Sequence, residues 1–373
     1  MAGRVLVVQM AKLGDFIQST PLLANLRHLY PGARVTLAGE QPAVLEAARL
    51  SPLVDEALAL PADSGGLAGS FEAVVVLNSH PRAAAVAAGV RAQTWYGPRL
   101  AGDRLKFTPA QDFLMGLMSL NRTLGRFNLV DVWASLLPGG GAGPLVWPAG
   151  KPARPAGASL KVGFQLGGRN HHRRWPVENF AALARLLAQL GLEFSPTLLG
   201  SSEERVLGLK YERLSQPWGG PPPVNLIGRT SLAELGRTLA GLDLLVTADT
   251  GVMHLAAAVG RPVLALFFGP AYGPETGPYG PGHLLYQALA DCGPCREGAG
   301  CGRRQCLELP RPEPAAALAA RLLGHTGAEG GPDFDLPPGH RVWRTGRDDF
   351  GQNLQPLNRP RLTEAEALAL ALT

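Results

Sequence analysis

Short apolar runs of strand length alternate with segments of helical period along most of this 373-residue chain. The runs Arg4 to Val8, Arg34 to Ala38 and Val74 to Leu77 are interleaved with periodic stretches at Pro21 to Tyr30 and Pro42 to Leu50. The rhythm resumes with strands at Lys161 to Gln165, Thr197 to Leu199, Leu244 to Ala248 and Val263 to Phe267, and with helices at Val177 to Leu190, Leu232 to Ala240 and Val252 to Val259. Strands that are apolar on both faces need cover on both faces, so this order predicts parallel sheets wrapped by helices. Between the two series lies Pro138 to Gly157, where 11 of 20 residues are Gly or Pro. No helix or central strand tolerates that density, so it reads as a linker. Two α/β domains follow, residues 1–150 and 151–323. Residues 324–373 read as an irregular tail that closes in a short helix capped by Thr363 and Glu366.

Charge narrows the partners. The net charge is +5 with a pI near 9.2, which suits an anionic ligand or an acidic membrane surface. The arginines form no stripe interleaved with aromatics, so nucleic acid is not an expected partner. Met1 to Val8 has no signal-peptide core, and longer apolar stretches are broken by charges such as Asp249 and Arg261, which points to a cytoplasmic chain. All four cysteines fall between Cys292 and Cys306 with spacing C-x2-C-x5-C-x4-C. Cys292, Cys295, Cys301 and Cys306 are therefore either cytosolic thiols or ligands of a structural zinc.

Three loops follow strands at the edge where parallel sheets bind ligands. The first, Gln9 to Asp15, carries Gly14 for a sharp turn and Asp15, which suits either a helix cap or a catalytic carboxylate. Its following helix is expected near Thr20-Pro21. The second, Asp249-Thr250-Gly251-Val252-Met253-His254, runs into an Ala-rich helix whose first N–H groups would face an anion, with Gly251 allowing close approach. The third, His171-His172-Arg173-Arg174-Trp175-Pro176, follows the turn Gly167-Gly168. Its two arginines suit a phosphate, or a solvated basic loop anchored by Trp175.

These segments, with Lys12-Leu13-Gly14-Asp15 and Pro21, Glu178 and Phe180, Gly228 to Leu232, Met253 to Ala256 and Gly277-Pro278-Tyr279-Gly280, resemble in order the heptosyltransferases of glycosyltransferase family nine. The resemblance implies a GT-B fold, two Rossmann-like domains with parallel sheets facing a cleft, the acceptor on the N-terminal domain and the nucleotide sugar on the C-terminal one. It implies inverting, metal-independent transfer of a heptose from ADP-heptose to the inner core of lipopolysaccharide, with no cofactor and with peripheral contact at the inner face of the inner membrane. Asp15 matches the catalytic base, and Arg173 a residue on the donor phosphate. Glu204 matches a carboxylate near the donor ribose, and Asp249, Thr250, Gly251 and His254 the donor sugar and diphosphate motif. The chain departs from the family at Leu166-Gly167-Gly168, where a Pro-Gly-Ala turn is usual, and at Gln18, where His is frequent.

The chemistry agrees with that resemblance. A nucleoside diphosphate leaves as an anion and needs positive charge rather than a proton, so one carboxylate suffices to deprotonate the acceptor. Arg91, Arg99, Arg104, Lys106, Arg122 and Arg126 offer a basic surface to an anionic acceptor, or form a scattered solvated face. Two other readings remain: a non-catalytic GT-B module that binds a nucleotide sugar, and a transferase using another sugar donor. Asp333-Phe334-Asp335 follows no strand and is discounted as a metal motif, and neither first strand is followed by the dinucleotide glycine fingerprint.

Overall fold

A computed structural model of the chain describes residues 3–61, 67–107, 127–148, 159–168, 173–290, 292–293, 295, 306, 310–325, 336–349 and 351–358. The chain forms two compact units. One comprises Met1–Pro148 with Asp349–Gly351, the other Ala149–Asp348 with Gln352–Thr373.

The first unit is built on a five-stranded sheet in the order β3-β2-β1-β4-β5: β1 (Arg4–Val8), β2 (Arg34–Gly39), β3 (Glu56–Ala59), β4 (Ser70–Val76) and β5 (Arg91–Tyr96). All of its pairings are parallel. Val5 to Val8 are wholly buried, as a strand covered on both faces must be. Helices α1 (Leu13–Gln18), α2 (Thr20–Leu29), α3 (Pro42–Leu50), α4 (Pro81–Ala88) and α5 (Leu129–Ala134) complete the unit, with a small antiparallel pair, β6 (Arg99–Ala101) and β7 (Arg104–Lys106). Gly97, at φ +94°, turns the chain out of β5, and a Cβ there would overlap the Val76 carbonyl.

The second unit repeats the plan. Its sheet runs β10-β9-β8-β11-β12-β13-β14-β15, formed by β8 (Leu160–Gln165), β9 (Phe194–Leu199), β10 (Val224–Asn225), β11 (Leu244–Ala248), β12 (Val263–Phe267), β13 (Leu284–Ala288), β14 (His340–Asp348) and β15 (Gly351–Pro356). The pairings from β10 to β13 are parallel, and β13 with β14 is antiparallel. Its helices are α6 (Val177–Gln189), α7 (Arg205–Ser215), α8 (Leu232–Ala240), α9 (Gly251–Ala258), α10 (Gly273–Thr276) and α11 (Pro312–Leu322). Trp175 anchors one face of the core. It is 1 % exposed, donates its indole N–H to the Pro310 carbonyl at 2.7 Å and meets Phe180 edge-on at 4.8 Å.

One expectation needs correction and a second an addition. Residues 340–348 and 351–356, read as irregular tail, are strands: β14 pairs antiparallel with β13, and His340, Val342 and Thr345 are buried while Arg341, Trp343 and Arg344 between them are less so. The helix expected at Thr20 is preceded by a separate one at Leu13. The stretch 149–157 of the linker, the terminal segment from Thr363, Arg122, Arg126, His171, His172 and Asp333-Phe334-Asp335 lie outside the described residues. Among the described residues no helix is long and apolar enough to cross a membrane.

Three buried histidines make the fold acid-sensitive. Burial pushes His254 down to about 3, and His283 and His340 down to about 4. The unfolded chain therefore takes up protons first as pH falls below the ordinary value of 6.5, and stability present above that value is lost progressively towards pH 4. Thermal midpoints measured from pH 7 to 4.5 should fall steadily, and a flat profile would contradict the burial of these rings.

Candidate active site

In an open parallel sheet the strand order reverses at one point, and the two loops leaving it in opposite directions open a crevice at the carboxyl ends. That point lies between β1 and β4 in the first unit and between β8 and β11 in the second. The loops singled out from the sequence flank these two points.

In the first unit, the chain after β1 is fixed before it reaches Gly14 and Asp15. The Met10 N–H donates to Asn78 Oδ1 at 2.5 Å, tying the β1 loop to the β4 loop, and Gln9, wholly buried, accepts the Ala11 N–H. Asp15 is not on a free loop. It stands in the first turn of α1, half-buried, and its Oδ2 accepts the Lys12 N–H at 3.0 Å. The bond satisfies a helix-start donor and orients the carboxylate. Gln18, one turn further on, is buried. Beyond β5, Arg99 and Lys106 sit directly opposite each other across β6 and β7, both exposed, with the Arg99 guanidinium 5.2 Å from the Trp95 ring centre. Arg91 and Arg104 are also exposed. Like charges in register weaken a strand pair, so folding alone does not account for that placement.

In the second unit, Arg173, Glu204, Asp249, Thr250, Gly251 and His254 come to one edge. Arg173 Nη1 donates to Asp249 Oδ2 at 3.1 Å, bridging the β8 and β11 loops across the reversal point. Both side chains are largely buried, at 21 % and 11 % exposure. Thr250 caps α9, its hydroxyl accepting the Met253 N–H, which leaves the N–H groups of Gly251 and Val252 without a partner among the described residues. These donors and the helix dipole make the edge electropositive. His254, one turn in, is 3 % exposed. Its Nδ1 has no hydrogen-bond partner among the described residues, and burial keeps the ring neutral.

Glu204 is more tightly held than its sequence context suggested. Oε1 accepts the Gly168 N–H at 2.6 Å and faces Arg174 at 3.4 Å, while Oε2 accepts the Ser201 N–H at 2.7 Å. The carboxylate lies against Gly167 where a Cβ would be, which explains why this turn takes glycine. Arg174 also donates to the Gly168 carbonyl, so it braces the turn beside Arg173. Sequence reading missed this brace, because the pairing of Glu204 with Gly168 spans 36 residues and has no local signal.

The cysteine expectation fares differently. Cys292, Cys295 and Cys306 line one small cavity with Gly269 and Leu289. Cys292 is exposed and the other two are half-buried. Among the described residues no group of three His, Cys, Asp or Glu is arranged to hold a metal ion, and Cys301 lies outside them.

Comparison with known proteins matches this architecture. Residues 150–300 match the model of glycosyltransferase family 9 (heptosyltransferase). Lipooligosaccharide heptosyltransferase 2 of Haemophilus influenzae is 36 % identical over 109 residues, covering 29 % of this chain and 30 % of that protein. The chain thus aligns with about a third of the length of the curated relatives it matches. Among solved structures, a family 9 glycosyl transferase from Veillonella parvula superposes with a TM-score of 0.64 at 19 % identity, over 87 % of this chain and 98 % of that one. The ADP-heptose LPS heptosyltransferase II of Escherichia coli superposes with a TM-score of 0.59 at 20 % identity, over 87 % and 99 %. The fold therefore matches GT-B heptosyltransferase structures, with α/β units built on mostly parallel sheets. The matched stretch contains Arg173, Glu204 and Asp249 to His254, whereas Gly14 and Asp15 lie outside it. The edge at the second sheet's reversal point, with the open N–H groups that begin α9, thus lies inside the stretch of this chain that is similar to the heptosyltransferases of glycosyltransferase family 9.

Proposed function

We propose that this protein transfers a heptose from ADP-heptose to the inner core of lipopolysaccharide, inverting the anomeric centre without a metal ion. The observation that carries the reading is the bridge between Arg173 and Asp249 beside the open N–H groups that begin α9. The guanidinium of Arg173 is a fork of several N–H donors, so it can hold Asp249 and a diphosphate oxygen together, and the helix start takes another. Glu204, with about three of its four acceptor directions used, retains one for a ribose hydroxyl. Neutral His254 adds a ring nitrogen for the donor.

In the reaction the acceptor oxygen attacks the anomeric carbon as its proton passes to Asp15. The bond to the diphosphate breaks with its electron pair leaving on ADP. Arg173 and the α9 N–H groups offset the charge that develops there, a task a divalent cation performs in other transferases. A carboxylate has about four acceptor directions, and the Lys12 N–H takes one of them, so capping α1 and receiving a proton are compatible roles for Asp15. The cationic β6–β7 pair, on the same unit as Asp15, suits the phosphates and carboxylates of a core acceptor, and catalysis on a lipid-borne acceptor places the enzyme at the cytoplasmic face of the membrane.

The specific rival is a module that binds a nucleotide sugar without turnover, favoured by the engagement of Asp15 as a helix cap. Calorimetry with ADP-heptose, ADP, and UDP and GDP sugars tests the donor assignment. The ADP compounds are expected to bind, and to bind at least tenfold more weakly to Asp249→Asn. Equal affinity for all nucleotides, or none for ADP, would overturn it.

A further inference from the structure

Among the described large apolar side chains, the two most exposed are Val206 at 67 % and Leu209 at 54 %, both on α7. Their spacing of three places them on one helix face. The opposite face is complete, with Gly208, Tyr211 and Ser215 buried. Gly208 also fixes how the helix is turned, since a Cβ there would crowd Asn225 Nδ2 at 2.7 Å and Ile227 Cδ1 at 2.9 Å. The outward aliphatics are therefore held outward by close packing behind them.

Charge surrounds that pair selectively. Arg205 and Arg213 are each four residues from Leu209, both are exposed, and neither has an acidic partner among the described residues. Glu212, the one carboxylate within α7, turns towards the edge strand and accepts from Asn225 at 2.8 Å, while Lys210 is neutralised by Glu178 at 2.5 Å. What remains outward on α7 itself is two aliphatics flanked by two guanidinium groups, with exposed Glu203 in the turn just before the helix.

We propose that this face of α7 rests on an anionic bilayer surface, with Val206 and Leu209 entering the headgroup region and Arg205 and Arg213 meeting lipid phosphates. The proposal rests on the reading that the acceptor is lipid-borne, and it names where the chain meets that lipid. A second copy of the chain fits less well. Two aliphatics without an aromatic anchor fall far short of the roughly 800 Å² a side of a standard interface. An interfacial helix, in contrast, binds with low overall hydrophobicity when cations assist, each basic residue strengthening binding about fivefold.

Co-sedimentation of the full chain with vesicles tests this. Wild type should bind phosphatidylglycerol/phosphatidylethanolamine vesicles, lose binding as salt is raised, and ignore pure phosphatidylcholine. Arg205→Glu with Arg213→Glu should weaken binding more than tenfold, and Val206→Ser with Leu209→Ser severalfold. Both variants should keep wild-type turnover on a water-soluble, de-acylated core acceptor. Failure of wild type to bind anionic vesicles, or unchanged binding by both variants, would overturn the proposal. So would light scattering that shows a dimer abolished by Val206→Ser with Leu209→Ser. Vesicle binding without turnover on the soluble acceptor would instead count against the transfer reaction and leave the surface standing.

Discussion

Asp15→Asn should lower the turnover number by about 10² to 10⁴ while the affinity for ADP-heptose stays within a few-fold of wild type. The asparagine is nearly isosteric, and its side-chain oxygen can still accept the Lys12 N–H that Asp15 accepts at 3.0 Å, so α1 keeps its cap. What it loses is basicity. An Asp15 that only capped α1 would tolerate this replacement, and turnover would be near normal. Asp15→Ala makes the complementary comparison: it removes the cap as well, which costs about 1 kcal/mol of stability in addition to the rate. Thermal unfolding of the two variants next to their kinetics therefore separates the structural role from the chemical one.

The second large effect is expected at Arg173. Arg173→Ala should reduce kcat/KM by about 10² to 10³, the range lost when a donor to developing negative charge is removed from a preorganised site. Both donor binding and turnover suffer, because the diphosphate is charged before transfer and more so during it. Asp249 also loses its partner across the β8 and β11 loops, and it is only 11 % exposed, so some loss of stability accompanies the kinetic defect. Arg173→Lys should recover part of the rate, since the charge returns but the fork geometry does not. Full activity in Arg173→Ala would remove the cation from the mechanism.

Much of this architecture is legible in the sequence. β11 and β12 occupy the residues anticipated for them, as does α8, because continuous apolar runs and a Ser231 cap with Glu234 three residues on leave few alternatives. What the sequence conceals is short or polar. α1 has six residues and no periodic face to detect, and only the contact of Asp15 with Lys12 reveals where it begins. β14 escapes sequence reading because its buried residues His340, Val342 and Thr345 keep no strict period of two and Arg341 and Arg344 stand between them. In the site, Asp249 to His254 stands out through Gly251 and the Ala-rich helix that follows. The roles of Glu204 and Arg174 depend on partners 36 and 30 residues away, a distance no local pattern spans.

Transfer itself is the claim on which the rest depends. The protein should be incubated with ADP-heptose and a de-acylated inner-core acceptor, with ADP release followed in parallel with mass spectrometry and NMR of the product. The expected result is one heptose added for each ADP released, with the anomeric configuration opposite to that of the donor, and almost none of either with Asp15→Asn. Tight binding of ADP-heptose with no product on any core acceptor would contradict transfer and leave a nucleotide-sugar-binding module in its place.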